Sequence, residues 1–265
     1  MLSVLKLFYS KRDLIFSLIG REISEKNKGA LLGMVWTFIY PAIMLCVYTF
    51  VFSTVLKAKW SDASDSKTEF ALLLFCGLMI FNFFSECLSK APLLIVSNVN
   101  YVKKVIFPLE IMPIVVVGSA AFNLAISFLV WILFYVFLYG SVNITFLLFP
   151  ILVLPYLFFI LGMVWLLSAL GVYFRDINNV VGIITTVLMF LSPIFYPKSS
   201  LPESFQFAIQ LNPLTYVIEE AREVLFWGHG INIISYSVYS AISLAFCCIS
   251  LIFFLKLKKG FADVL

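Results

Sequence analysis

Apolar residues run along this chain in blocks too long for the core of a small soluble domain, and the short segments between them hold nearly all of the charge. Six such blocks stand out, at residues 31–56, 70–96, 111–139, 146–172, 180–196 and 231–255. A hydrocarbon layer about 30 Å thick takes roughly 20 helical residues, and a helix satisfies its own backbone groups there. The blocks predict an all-α membrane protein with six transmembrane helices. The fifth is the shortest; lacking the length to tilt, it is expected to stop short of the far surface.

Ahead of the first block the pattern is different. From Asp13 onward Leu14, Ile15, Leu18, Ile19 and Ile23 recur near helical spacing, with Arg12, Arg21, Glu22, Glu25 and Lys26 around them. Residues 1–30 therefore read as a region carrying an interfacial helix on anionic lipid, the alternative being a plain solvated helix. They lack the long apolar run and small-residue cleavage site of a signal peptide. Residues 31–265 read as one transmembrane domain.

Between the fifth and sixth blocks lies the least regular stretch. Tyr196, Pro197 and Pro202 break the chain, and Asn212-Pro213 divides the remainder into two short segments. Those segments are too apolar for a free loop. Glu203, Glu219, Glu220, Arg222 and Glu223 make them too charged to cross hydrocarbon alone. A re-entrant helical hairpin over residues 197–230, dipping into the membrane surface, satisfies both facts.

Composition agrees with the pattern. Hydrophobic residues make up 63% and charged residues 12% of the 265 positions, against roughly 25% charge in soluble domains. Placement of the basic residues sets orientation, 17 of the 18 lying outside the spans and Lys90 within the second. Lys6, Lys11, Arg12, Arg21, Lys26, Lys28, Lys103, Lys104, Arg175, Lys256, Lys258 and Lys259 fall on one side, and Lys57, Lys59, Lys67, Lys198 and Arg222 on the other. Both ends are thus expected in the cytoplasm and the hairpin outside. The five cysteines lie within apolar runs as small buried residues, and the lone His229 supplies no metal cluster.

A few polar positions interrupt the spans. Glu86 and Lys90 are four apart on one face, acid first, and read as a paired structural anchor, or else as a contributor to subunit packing or gating. Asn82, Asn123, Ser127 and Ser168 read as interhelical hydrogen bonders. In the first span Trp36, Tyr40, Met44, Tyr48 and Phe52 step by four along one side, near Pro41. Packing is one reading of this line. The other is a channel lining for sugar rings, because aromatic faces cover the apolar side of a sugar while phenol groups bond its hydroxyls.

No enzyme constellation is present. The chain has no Gly-rich loop ending in Lys-Ser or Lys-Thr, and the basic residues are too scattered for nucleic acid. Residues alone lead to a membrane protein, a component of a transporter.

Three stretches carry more: LLGMVWTFIYPAIMLCVYTFVFSTV from Leu31, YFRDINNVVGIITTVLMFLSPIFYP from Tyr173 and LNPLTYVIEEAREVLFWG from Leu211. They resemble the corresponding stretches of bacterial polysaccharide-exporting permeases of the ABC-2 transporter class, and the resemblance covers nearly the whole chain. It implies a homodimer in the inner membrane joined to two ATP-binding subunits. Those partners would bind the ATP and magnesium, and this chain no cofactor. The cargo would be a lipid-linked glycan; family likeness favours O-antigen over capsular polysaccharide or teichoic acid, with a permease for a drug or small lipid as the alternative.

The resemblance also assigns roles. The loop at residues 97–110, through Tyr101, Lys103, Lys104 and Phe107, would be the element that docks on the ATPase, a positive-inside anchor being the other reading. Where two subunits meet around a central passage, the proline-broken hairpin, through Tyr196, Pro197, Asn212, Pro213, Glu219 and Arg222, is expected to form an outward gate. Arg175 and Asp176, at the elbow before the fifth span, are expected to be a partly buried anchor, with a solvated elbow as the other reading. The orientation has a direct check: a Ser199→Cys variant in intact cells is expected to react with a membrane-impermeant thiol reagent, and labelling only after membrane rupture would reverse the topology.

Overall fold

The computed structural model describes residues 8–26, 28–55, 60, 67–102, 107–141 and 143–265, and every regular element among them is helical. Five stretches are long and apolar enough to cross a membrane, namely Gly33–Phe52, Thr68–Lys90, Leu109–Tyr139, Ile144–Tyr173 and Ile233–Val264. They correspond to five of the six expected blocks. The remaining block forms a helix only over Ile177–Leu191, whose 15 residues reach about 22 Å, less than the hydrocarbon thickness.

In chain order the helices are α1 (Arg12–Lys26), α2 (Trp36–Tyr48), α3 (Lys67–Lys90), α4 (Val99–Val102), α5 (Met112–Tyr139), α6 (Phe149–Tyr173), α7 (Ile177–Leu191), α8 (Glu203–Gln210), α9 (Pro213–Arg222), α10 (Ile233–Leu257) and α11 (Phe261–Val264). Local chemistry sets many boundaries. Prolines open α5, α6 and α9 in the first turn, where the missing N–H costs nothing. Gly140, at φ 75°, ends α5 in the left-handed region that favours glycine. Asn212 and Asn232 cap α9 and α10 by accepting the backbone N–H of Leu214 and of Ile234 and Ser235. α2 runs on through wider π turns over Thr49–Val55.

α3 is the centre of the bundle. Of its apolar stretch 83% is buried, against 11% for Gly33–Phe52. α5, α6, α7, α9 and α2 all pack around it. Three of them send a polar hydrogen to its backbone: Trp131 Nε1 of α5 donates to the Leu72 carbonyl at 2.9 Å, Tyr156 Oη of α6 to Ile80 at 3.1 Å, and Arg222 Nε of α9 to Leu73 at 3.1 Å. A carbonyl already bonded within its helix has a second lone pair to accept them.

The expected hairpin divides into two unlike limbs. α8 is largely exposed, with Phe205 and Phe207 uncovered. α9 is not a surface helix: Leu214, Val217, Ile218, Ala221 and Arg222 are buried against α3 and α6. The two proline breaks are clipped together, since Asn212 Nδ2 donates to Ser192 Oγ at 2.8 Å, beside Pro193.

α1 lies against α5, where Gly118 makes room for Ile19; a Cβ at position 118 would come within 2.5 Å of the Ile19 side chain. After α10 the chain folds back, with Phe261 buried against Phe254 and Tyr173. Tyr173 Oη donates to the Leu257 carbonyl at 2.9 Å, and Lys258 pairs with the buried Glu110. Backbone comes close to backbone at Gly171 of α6, where an added Cβ would sit 2.0 Å from the Pro92 carbonyl oxygen. Backbone cannot step aside as a flexible side chain can. Gly171→Ala is therefore expected to destabilise the protein by about 1–3 kcal/mol, measured as a lower thermal unfolding midpoint in detergent. Gly182→Ala, where nothing lies within 4 Å, is expected to leave the midpoint unchanged.

Candidate functional site

α2 and α3 face each other across a cleft of about 610 Å³, with α5 forming its back. Trp36, Tyr40, Met44 and Tyr48 make the aromatic wall, opposite Phe75, Asn82 and Ser85 of α3 and Asn123 and Ser127 of α5. The four-residue step expected for α2 thus places four of its five members on one cleft. The cleft is open along α2, where Tyr40 remains 60% exposed. One chain by itself encloses no passage here.

Phe52 departs from that line. It is half-buried and stacks on Phe70 at 5.6 Å and Phe195 at 6.1 Å, away from the cleft residues. The backbone explains the departure: Thr49–Val55 is wound with π turns, which need more residues per turn, so a step of four no longer returns to the same face. Phe52 is a packing residue in this chain.

One end of the cleft is charged. Glu86 Oε1 accepts from Lys26 Nζ at 3.1 Å and lies 3.2 Å from Lys90 Nζ, and Asn123 Nδ2 reaches both carboxylate oxygens at 3.1 and 2.9 Å. Lys90 also pairs with Glu22 at 2.8 Å. The expected Glu86–Lys90 pair is present, but it is half of a four-charge chain that ties α1 to α3. Donors from three helices compensate the carboxylate, whose side chain is only 19% exposed. Glu22 and Lys26 were legible only as charges on an amphipathic helix, because their partners lie 68 and 60 positions away.

Beside that cluster, a second cleft of about 500 Å³ separates α1 from the loop after α3. Leu18, Arg21, Glu22 and Glu25 form one wall, and Ser97, Asn98, Tyr101 and Phe107 belong to the other. Tyr101 and Phe107 stack with ring centroids 4.4 Å apart. Lys103 and Lys104 lie outside the described residues. Arg175 and Asp176 follow the extended Phe174 and are both exposed, without an ion pair to any described residue. Within one chain they are thus not buried, and the partly buried anchor expected of them would need a contact from outside this chain.

At the opposite end of α3 lies Arg222, which is 1% exposed and has Glu219, a second expected gate residue, beside it. Its guanidinium donates to the carbonyls of Leu73 at 3.1 Å and Ile194 at 3.0 Å and to Glu219 Oε1 at 3.2 Å, and it lies over the Trp60 ring at 4.2 Å. A planar fork with five donors can bind all of these at once. Arg222, expected as part of the outward hairpin, is a buried junction between α3, α9 and the turn after α7. Burial holds the Glu219 carboxyl above the usual carboxylate range, against the opposing pull of Arg222 and Lys198. Tyr196 turns back to donate to the Phe190 carbonyl at 2.9 Å.

Replacing the Arg222 fork tests this junction. The Leu73 carbonyl keeps its bond within α3, but the Ile194 carbonyl loses its donor, and a buried acceptor so stranded costs about 1–3 kcal/mol. Arg222→Leu is expected to lower the thermal midpoint strongly, and Arg222→Lys to restore only part of it because an ammonium cannot match the fork. Equal midpoints for the parent and Arg222→Leu would show that the junction does not determine stability.

With the geometry in place, likeness to known proteins can be read. Residues 13–226 match the ABC-2 type transporter family. The chain is 28% identical to the O-antigen export system permease protein RfbA of Myxococcus xanthus over 232 residues, covering 86% of each. A protein of that name from Klebsiella pneumoniae is 25% identical over 255 residues, covering 96% of this chain and 95% of the relative. The polysialic acid transport protein KpsM of Escherichia coli is 24% identical over 249 residues, 89% of this chain and 92% of KpsM. A match over most of the chain, joined to a multi-pass helical bundle, makes this protein a member of the ABC-2 type transporter family.

Proposed function

We propose that the protein is the membrane-spanning permease subunit of an ATP-driven exporter that moves a lipid-linked polysaccharide out of the bacterial cytoplasm across the inner membrane. The near full-length match to permeases named for O-antigen export carries the reading. The aromatic wall in an open-sided cleft supports it, since a second copy facing that side would complete a passage. O-antigen is the favoured cargo. Capsular polysaccharide is the second reading, supported by the likeness to KpsM.

In this reading α7 completes the set of six membrane helices, short because the turn at Ser192-Pro193 and the buried α9 continue its path. Both termini are cytoplasmic, and α1 lies at that interface. Two ATP-binding subunits dock near the cleft between α1 and Tyr101–Phe107, because ion pairs from α1 to Glu86 and Lys90 would pass a displacement of that helix directly to α3. Binding and hydrolysis of ATP with magnesium belong to those subunits.

The passage would work by many weak contacts. Rings of Trp36, Tyr40 and Tyr48 offer stacking faces to successive sugars, so no single unit is held tightly enough to stall. Outward, the residues clipped by Asn212 and Ser192 would form the gate, since a proline-broken segment can shift without unpairing a spanning helix.

Removing the gene is expected to abolish a surface polysaccharide, and chemical identification of the lost polymer decides between O-antigen and capsule. Unchanged surface glycan would refute the export reading. For the passage, a ring contact is worth about 0.5–1.5 kcal/mol, so the Tyr40→Ala, Tyr48→Ala double variant should export roughly tenfold more slowly. Assembly with the ATPase and basal ATP turnover should hold. Export at the parental rate would return the aromatic wall to a packing role.

A further inference from the structure

A third hollow, of about 460 Å³, lies at the Arg222 end of α3, away from the residues of the aromatic cleft. Two indoles, Trp60 and Trp227, border it together with Lys198, Gln206, Glu219 and Glu223. Its size falls within the roughly 300–1,000 Å³ of small-ligand clefts.

The lining is held from behind. Trp227 stands at the end of the π turn after α9, where Gly228 at φ 72° reverses the chain. Thr145 Oγ1 donates to the Val224 carbonyl at 2.8 Å, and Glu223 pairs with His229, so the backbone carrying the indole is pinned on both sides. Trp227 is nevertheless 39% exposed. Trp60 has one face covered by Arg222 and packs on Phe70. The indole left with free surface is therefore Trp227.

The polar groups retain capacity. Glu219 engages Arg222 through Oε1, and no described residue bonds its Oε2. Gln206 uses Nε2 on the Leu201 carbonyl, which leaves its amide oxygen as an acceptor. Lys198 brings an ammonium donor on a flexible stem. A metal ion is a poor match, because Glu219 is already paired with Arg222 and a Glu223 oxygen is engaged by His229 Nδ1. A hydrocarbon tail is also a poor match for a lining with two acids, an amide and an ammonium. A sugar ring suits it: its C–H face can lie on an indole while its hydroxyls both donate to carboxylates and accept from an ammonium.

Resting on the glycan-export reading, we propose that this hollow is a pyranose-binding subsite on the outward side, which takes sugar units of the polymer after they pass the hairpin. Trp227 supplies the stacking face, Glu219 and Gln206 accept from hydroxyls, and Lys198 donates to them. Such a site would bias a chain that has emerged against sliding back, with an affinity low enough to release it.

The test is a titration of the full chain in lipid nanodiscs, read by tryptophan fluorescence and calorimetry. The probe is a panel of short neutral and acidic oligosaccharides, including fragments released by mild acid from the polysaccharide on the surface of the cells that carry the gene. Saturable binding is expected. Trp227→Ala should weaken it roughly tenfold, and Trp227→Phe, which keeps an aromatic face, by less than about threefold. Lys198→Ala, far less exposed to the risk of misfolding, should weaken binding measurably at an unchanged thermal midpoint. Absence of saturable binding to the parental protein, or equal binding by the parent, Trp227→Ala and Lys198→Ala, overturns the subsite. Gene deletion reports on export independently, so loss of surface glycan without oligosaccharide binding would sink the subsite and leave the export reading standing.

Discussion

The structure depends on the satisfaction of polar hydrogens along one buried helix. α3 has little access to water or lipid, so every polar group that approaches it must find its partner within the protein. The indole of Trp131, the phenol of Tyr156 and the guanidinium of Arg222 each bond to a carbonyl of α3. Apolar side chains alone would let neighbouring helices slide, because lipid tails are as apolar as leucine. These directed bonds fix the rotation and height of α5, α6 and α9 against α3. Small residues do the complementary work: Gly162 and Gly171 bring α6 close to α10 and to the turn after α3.

The two ends of α3 handle charge differently. At the Lys90 end four charges alternate along a chain, and most remain partly exposed, so single contacts there are individually modest. At the other end one guanidinium is almost wholly enclosed and is compensated mainly by backbone carbonyls. The first arrangement can rearrange by exchanging partners. The second cannot open without stranding a charge, which makes it a fixed point around which the Ser192 and Asn212 turns are built.

The legibility of these features in the sequence depends on the range of each interaction. Five long spans were visible because each is a local property of its own segment, and the fifth block, the shortest of the six, forms a helix of only 15 residues. The Glu86–Lys90 pair was visible because its members are four residues apart; its extension to Glu22 and Lys26 was hidden by chain separation. The burial of α9 was legible in part. Leu214, Val217, Ile218, Ala221 and Leu225 form one apolar stripe, and Arg222 falls four residues after Ile218, on that same stripe. Its charge suggested solvent, whereas its position indicated the interior. Phe52 misled for the opposite reason: the spacing continued the line from Trp36, but the helix changed its winding at Thr49. The fold-back that buries Phe261 carries no repeating pattern in sequence, since it depends on a contact with Tyr173.

The carbonyl bonds along α3 also have a consequence for the order in which the molecule can be made. The donors to Leu72, Ile80 and Leu73 are encoded 59, 76 and 149 residues later. During synthesis α3 must therefore enter the bilayer long before the groups that lock it are present, held only by its own helical bonds and the lipid around it. Arg222 is last, and an arginine placed alone at the centre of a bilayer helix costs about 2.5–3.5 kcal/mol on insertion. Its segment gains a low-energy home only once α3 and the turn after α7 already stand in place. Packing around α3 thus follows the order of the chain: α2, α3, α5 and α6 are encoded before the buried arginine, which locks α9 against α3, and α10 comes after it.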